Sequence, residues 1–206
     1  MIALNSPIKP DLKKLHKLLE RINASGWFTN FGPMHKELTA RLEDYLGVKN
    51  LLLTNNGTSA LQVAGRAIGS HSIISTPFSF VATVSAFKWQ QDKVAFADID
   101  SKSLNLCPQA VKTAYRKGCK ADTLVATHVH GNPCDVTAID ELSEQHNFQI
   151  IYDAAHAFGI KINGQSVLNY GDASTLCFHA TKVLIRLKAV LSFLKIESIM
   201  RKRKKL

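Results

Sequence analysis

The chain has 206 residues, of which 46% are hydrophobic and 20% are charged, and this is enough for one ordinary domain with a packed core. Its formal net charge of +10 would suggest a nucleic acid or an anionic surface as a partner if the charge were spread over the fold. Residues 184–206, however, hold eight basic residues against one acidic residue and so carry +7 of that charge. The balance over residues 1–183 therefore does not favour nucleic-acid binding.

The cysteines and the absence of long apolar runs narrow the class of protein. Cys107, Cys119, Cys134 and Cys177 show neither the spacing of a zinc site nor that of a secreted disulfide framework, so we expect reduced thiols and no bound metal. Residues 1–20 lack the apolar segment of a signal peptide, because charged side chains recur from Lys9 onward. No run approaches the roughly 18 apolar residues of a membrane span. These features predict a cytoplasmic protein without a membrane partner.

In chain order, two amphipathic helices come first. Residues 11–24 and 33–46 both place leucines at helical spacing, and the glycines that follow, Gly26 and Gly47, can end a helix. Residues 48–68 are then typical of a short buried strand, a polar turn and a helix. The pattern therefore predicts two helices ahead of the first strand.

Compact apolar runs alternate with helical segments along the rest of the chain. The runs lie at residues 71–80, 92–100, 123–131 and 148–156, and the helical segments lie near 78–90, 108–118 and 136–147. This alternation predicts an α/β fold with a mainly parallel sheet, whose ligands bind at the strand ends. No linker or second domain boundary is visible before residue 183.

The polar turn after the first predicted strand is a candidate anion site. Residues 55–60 (Asn-Asn-Gly-Thr-Ser-Ala) open a helix, so their backbone N–H groups and hydroxyls can face a phosphate at the positive end of the helix dipole. The alternative is an ordinary N-capped helix after a glycine turn. These six residues alone leave both interpretations open.

Two further segments supply an aspartate and a lysine. Asp153 follows an apolar strand, and Lys182 ends the run Phe-His-Ala-Thr-Lys. These are the two groups that pyridoxal chemistry requires, because a lysine amine can form an imine with the cofactor aldehyde and an aspartate can keep the pyridine nitrogen protonated. Taken singly, Asp153 could instead cap a helix, Lys182 could be a solvated charge and His156 could be a structural histidine.

Five segments together resemble the DegT-type sugar aminotransferases, which use pyridoxal phosphate on a type I fold. The segments are NNGTSAL, PFSFVATVSA, THVHGNPCD, DAAHAFG and FHATK, and the resemblance covers roughly residues 1–183. It implies an α/β, fold type I aminotransferase large domain, with a mainly parallel sheet and flanking helices, whose C-terminal part is missing. It also implies transfer of an amino group, typically from glutamate, to a nucleotide-linked keto-deoxysugar for polysaccharide synthesis, by a homodimer.

The same resemblance implies roles for individual residues. It makes Lys182 the catalytic lysine, and it places Gly57, Thr58 and Ser59 at the cofactor phosphate, Phe80 over the pyridine face, Asp153 at the pyridine nitrogen, His156 near the 3-hydroxyl group and Thr29 on the sugar side. Cys177 stands where the family usually has a serine that contacts the phosphate, and a thiol is a weaker donor than a hydroxyl. Some relatives with histidine at the lysine position are sugar dehydratases, so Lys182 favours transamination. By itself, Phe80 would be an ordinary core residue.

The resemblance stops after Val183. One allowed coding of residues 183–190 is GTT TTA ATA CGT TTG AAG GCG GTG, and reading it from the third base gives Phe-Asn-Thr-Phe-Glu-Gly-Gly, the family's usual continuation. Loss of one base would therefore explain residues 184–206. We expect these residues to form a basic tail that does not return into the sheet, because they contain no Gly, Pro, Asn or Asp for turns. The alternatives are a binding protein with a functional basic tail and a non-catalytic remnant.

Overall fold

The computed structural model describes residues 10–178 and the backbone of residues 189–194. The α-helices are α1 Leu12–Ser25, α2 Pro33–Leu46, α3 Gly57–Ile68, α4 Ala82–Lys88, α5 Pro108–Arg116 and α6 Val136–His146. The strands are β1 Leu51–Thr54, β2 Ser72–Ser75, β3 Lys93–Phe96, β4 Thr123–Thr127, β5 Gln149–Asp153, β6 Lys161–Ile162, β7 Gln165–Ser166, β8 Ala173–Phe178 and β9 Ala189–Leu194. Strands and helices alternate from β1 to β5, as the apolar runs predicted.

Local capping explains where the first two helices begin and end. The Asp11 side chain accepts hydrogen bonds from the backbone N–H groups of Lys13 and Lys14, at 3.0 and 3.2 Å, and so caps α1. Gly26 and Gly47 follow α1 and α2 with φ of 64° and 65°, the left-handed conformation that glycine adopts at little cost. Both predicted stops are therefore confirmed. In the described part of the chain, no helix combines the length and hydrophobicity needed to cross a membrane.

Seven of the described strands form one sheet in the order β1-β9-β8-β5-β4-β2-β3, and β6 and β7 form a small separate hairpin. The pairs β3–β2, β2–β4, β4–β5 and β5–β8 are parallel, whereas β9 runs antiparallel to both β1 and β8. The expected mainly parallel sheet is confirmed. Because β4, β5 and β8 run in the same direction, their carboxyl ends lie at one edge of the sheet.

Strand β9 corrects one expectation about the chain after Val183. Residues 189–194 lie between β1 and β8, with Leu191 opposite Leu53 on one side and opposite Leu176 on the other. The expectation that this segment could not return into the sheet is therefore wrong for these six residues. A scarcity of turn-forming residues was a weak argument, because a strand inserted between two others gains backbone hydrogen bonds on both edges.

The sheet is buried on both faces, and neighbouring residues along a strand point to opposite sides. Ile150 and Tyr152 belong to a cluster with α5 and α6, whereas Ile151, between them, packs with α3 and α4. Full burial of such a side chain is worth about 1.5–3 kcal/mol. The helices α3 and α4 approach closely at Gly65, where a Cβ atom would lie 2.7 Å from the Phe87 ring. This contact lets the second halves of α3 and α4 pack closely against each other.

Candidate active site

A cavity of about 520 Å³ lies at the carboxyl ends of β4, β5 and β8. The amino end of α3 and the segment that precedes α4 complete its walls. Its lining residues are Gly57, Thr58, Leu61, Ser79, Phe80, Ala82, Thr127, Asp153, Ala155, His156, Thr175, Leu176 and Cys177. The strand-edge location is where parallel α/β sheets bind ligands.

Asp153 is the last residue of β5 and is 6% exposed. Its Oδ2 accepts a hydrogen bond from the Thr83 hydroxyl at 2.7 Å, and its Oδ1 accepts one from the backbone N–H of Ala155 at 3.1 Å. The residues after Asp153 form turns, and no α-helix begins at Ala154. The alternative that Asp153 caps a helix is therefore wrong. A buried carboxylate with one donor on each oxygen is held in a fixed plane and still lines the cavity.

The amino end of α3 forms another part of the cavity wall. Gly57 and Thr58 line it, while the N–H of Ser59 donates to the Asn56 side-chain oxygen at 2.8 Å. The N-cap interpretation is therefore confirmed by this contact. It does not exclude the anion interpretation, because the first turn of a helix has several N–H groups without a partner inside the helix. Ser59 itself is not part of the cavity lining.

Phe80 is 74% exposed and lines the cavity, so its interpretation as core packing is wrong. Its backbone oxygen accepts a hydrogen bond from the N–H of Thr83 at 2.9 Å, which ties it to the first turn of α4. An aromatic ring on the wall of a cavity offers a flat apolar surface to a planar ligand.

Two more predicted residues line the cavity. His156 is exposed, and its ring lies nearly parallel to that of His130, with centroids 6.0 Å apart and an interplanar angle of 10°. Cys177 is half-buried near the end of β8. Both residues therefore line the cavity, and their expected contacts with the 3-hydroxyl group and the phosphate stay predictions.

The structure does not bring every predicted residue to the cavity. Thr29 is exposed in the loop between α1 and α2 and is not among the lining residues. Lys182 lies outside the described residues. Sequence reasoning in turn missed Ser79, Thr83 and Thr127, whose hydroxyls connect to Asp153. Their signal was the hydroxyl residues within PFSFVATVSA and at the end of the β4 run, next to the strand that carries Asp153.

The residues present fit pyridoxal phosphate. The cavity combines a buried carboxylate suited to a ring nitrogen, a helix amino terminus suited to a phosphate and an aromatic ring suited to a planar heterocycle. This site, on a mainly parallel sheet with one antiparallel strand, is that of the fold type I pyridoxal-phosphate enzymes. Residues 11–189 match the DegT/DnrJ/EryC1/StrS aminotransferase family. The chain belongs to this family, whose members are pyridoxal-phosphate-dependent aminotransferases.

Individual relatives support the same assignment. The chain is 43% identical over 183 residues to the dTDP-4-amino-4,6-dideoxy-D-glucose transaminase of Shigella dysenteriae. The aligned region covers 88% of this chain and 49% of the relative. The chain is 33% identical to the transaminase of the same name from Escherichia coli, over 93% of this chain and 50% of the relative. The crystal structure of DesI with its TDP-sugar product has a TM-score of 0.87 at 29% identity, covering 97% of this chain and 51% of that chain. The chain thus spans about half the length of these relatives.

Proposed function

We propose that the chain is the cofactor-binding part of a sugar aminotransferase, an enzyme that moves an amino group from glutamate to the keto group of a nucleotide-linked deoxysugar through pyridoxal phosphate. We expect the 206-residue chain by itself to have little or no turnover. The observation that carries the proposal is the Asp153 carboxylate, buried at the end of β5 in the same cavity as the amino end of α3. Relatives named as dTDP-sugar transaminases support the substrate class. We further propose that it works as a homodimer, as the family resemblance implies.

Different described residues would bind different parts of the cofactor. Gly57 and Thr58 would hold the phosphate through the helix terminus, and Phe80 would cover one face of the ring. Asp153 would accept the hydrogen bond of a protonated ring nitrogen, and its two donors orient it for that role. His156 would lie near the 3-hydroxyl group. Ser59 would contribute through the same helix turn rather than by facing the cavity.

The reaction needs one group that the described lining does not include. When bound, pyridoxal phosphate supplies an aldehyde carbon for amino exchange and a ring that accepts negative charge. A proton must also move between the amino donor and the cofactor, and we assign this step to the amine of Lys182. Among the described lining residues there is no lysine, so none of these competes with Lys182 for that role. Glutamate then leaves as its 2-oxo acid, and the sugar ketone becomes an amine.

Two substitutions test the proposal. Lys182→Ala should abolish the visible absorbance of the bound cofactor and its covalent attachment by borohydride, whereas Lys161→Ala, on the exposed β6, should change neither. Asp153→Asn should leave cofactor binding largely intact but reduce transamination far more, because the ring then accepts charge less well; turnover is measured on the product of a one-base insertion at the Val183 codon.

The opposite results would contradict the proposal. An unchanged cofactor spectrum in Lys182→Ala would remove the catalytic assignment of Lys182. Equal losses of binding and turnover in Asp153→Asn would indicate that Asp153 is structural. A wild-type chain with no cofactor band that instead binds nucleic acid or anionic vesicles in a salt-sensitive way would favour a binding protein with a functional basic tail.

A further inference from the structure

Thr83 contacts Asp153 from outside the cavity lining. It is fully buried in the first turn of α4, it is not a lining residue, and its hydroxyl is 2.7 Å from Asp153 Oδ2. We propose that Thr83 is a positioning residue, which orients the Asp153 carboxylate toward the ring nitrogen of the cofactor. This inference rests on the proposed function, since it assigns a task to Asp153.

The hydroxyl of Thr83 belongs to a chain whose direction can be derived. Thr83 Oγ1 donates its single proton to the carboxylate, so in its 2.7 Å contact with Ser79 Oγ it must accept. Ser79 then has no proton left for its 3.0 Å contact with Thr127 Oγ1, so Thr127 donates to Ser79. Three hydroxyls thus point in sequence at one oxygen of Asp153. Hydrogen bonds arranged in this way polarise one another and strengthen the last one.

The position of Thr83 also links the two groups that would contact the cofactor ring. Its backbone N–H donates to the oxygen of Phe80 at 2.9 Å, while its side chain holds Asp153. The second oxygen of Asp153 is held independently by the N–H of Ala155. Removing the Thr83 hydroxyl would therefore leave the carboxylate with one protein donor and free to rotate about the remaining contact.

The chain offers a matched control for the test. Thr123 is another fully buried threonine, and its hydroxyl donates to Asp122 Oδ1 at 2.9 Å. It is the first residue of β4, at the edge of the sheet opposite the cavity. Thr123→Val and Thr83→Val thus remove the same type of hydrogen bond, but only the second change affects a carboxylate that lines the cavity.

The test compares affinities for pyridoxal phosphate and for its 1-deaza analogue, which has carbon in place of the ring nitrogen. Both compounds carry the aldehyde and the phosphate, so their affinity ratio reports the contact with the nitrogen. We expect the wild-type chain to prefer pyridoxal phosphate and Thr83→Val to reduce this preference about tenfold, the lower end for a hydrogen bond to a charged group. Thr83→Ser, which keeps the hydroxyl, and Thr123→Val should retain the wild-type ratio.

Each other outcome has a defined meaning. If Thr83→Val weakens both compounds equally, or if Thr83→Ser loses the preference as well, Thr83 is structural and the inference is overturned while the proposed function stands. A wild-type ratio near one would instead contradict the proposed role of Asp153 itself. Urea unfolding of the apo chain gives a second readout, because Thr83→Val and Asp153→Asn should be non-additive if their side chains interact. Full additivity would overturn the inference without any use of the cofactor.

Discussion

The backbone of Gly131 lies against the carbonyl group of His156, so closely that a Cβ atom at Gly131 would be 3.0 Å from the His156 oxygen. Gly131 has φ of 81°, and His130 before it is also left-handed, with φ of 53°. Asn105 holds this turn in place by accepting a hydrogen bond from Val129 N–H at 2.9 Å. The turn after β4 therefore supports the segment that presents His156 to the cavity.

Gly131→Ala should disturb the cavity as well as the stability of the fold. A left-handed alanine costs about 1–2 kcal/mol, and the added methyl group must in addition push the His156 backbone away. Gly164→Ala is the matched control, because Gly164 has the same φ of 81° and open space around its Cβ position. We expect similar backbone costs in urea unfolding but weaker cofactor binding only in Gly131→Ala. Equal cofactor affinities in the two variants would show that His156 does not depend on this contact.

Cys177→Ser should tighten the binding of pyridoxal phosphate. Cys177 lines the cavity, and a hydroxyl is a better hydrogen-bond donor to phosphate than a thiol. The expected gain is about 0.5–1.5 kcal/mol, the net value of one hydrogen bond. Cys119→Ser, at a half-buried cysteine outside the cavity lining, should change nothing. An unaltered affinity in Cys177→Ser, measured by titration of the cofactor absorbance, would mean that residue 177 does not face the phosphate.

His128 should make the fold sensitive to mild acid. The ring is fully buried, stacks on Tyr152 at 4.8 Å and accepts a hydrogen bond from Cys134 N–H at Nδ1. Burial lowers the pKa of His128 from 6.5 to about 4. The unfolded chain therefore takes up this proton as the pH falls below about 6.5, whereas the folded chain does so only near pH 4. The contribution of His128 to stability is complete above pH 6.5 and is lost progressively down to pH 4, by about 3 kcal/mol.

Unfolding experiments between pH 7.5 and pH 4 measure this loss directly. His128→Gln has no titrating ring, so its free energy of unfolding should fall less steeply with acid than that of the wild type. His71→Gln, at an exposed position, should follow the wild-type curve. If His128→Gln and the wild type lose stability in parallel, the buried imidazole is not the cause of the acid sensitivity.

Much of the fold was predictable because its signals are local. Compact apolar runs of nine or ten residues between helical segments indicated the parallel strands β2 to β5, and left-handed glycines marked the ends of α1 and α2. The position of β9 was not predictable in this way. Its pairing with β1 and β8 joins residues more than a hundred positions apart on one side, and no local pattern in residues 189–194 specifies that contact.

The residues at the cavity also differ in how far the sequence alone predicts them. The family resemblance placed Gly57, Thr58, Phe80 and Asp153 at a ligand site, although each motif alone left another interpretation open, and all four line the cavity. Thr83 could not be assigned in this way, since its role depends on a hydrogen bond to a residue 70 positions away. The opposite holds for Thr29. Its segment resembles the family, but Thr29 lies in an exposed loop and is not among the residues that line the cavity.

Insertion of one base at the Val183 codon should raise aminotransferase activity strongly above that of the 206-residue product, which we expect to have little or none. The shifted frame would read Phe-Asn-Thr-Phe-Glu-Gly-Gly at positions 184–190, which is the family's usual continuation after Val183. The 206-residue chain spans about half the length of its relatives. Both products should be assayed with glutamate and with nucleotide-linked 3-keto and 4-keto sugars. The control is a three-base insertion at the same codon, because it preserves the present frame. Robust turnover by the 206-residue form, or equal turnover after the one-base and three-base insertions, would show that residues 184–206 are in their proper frame.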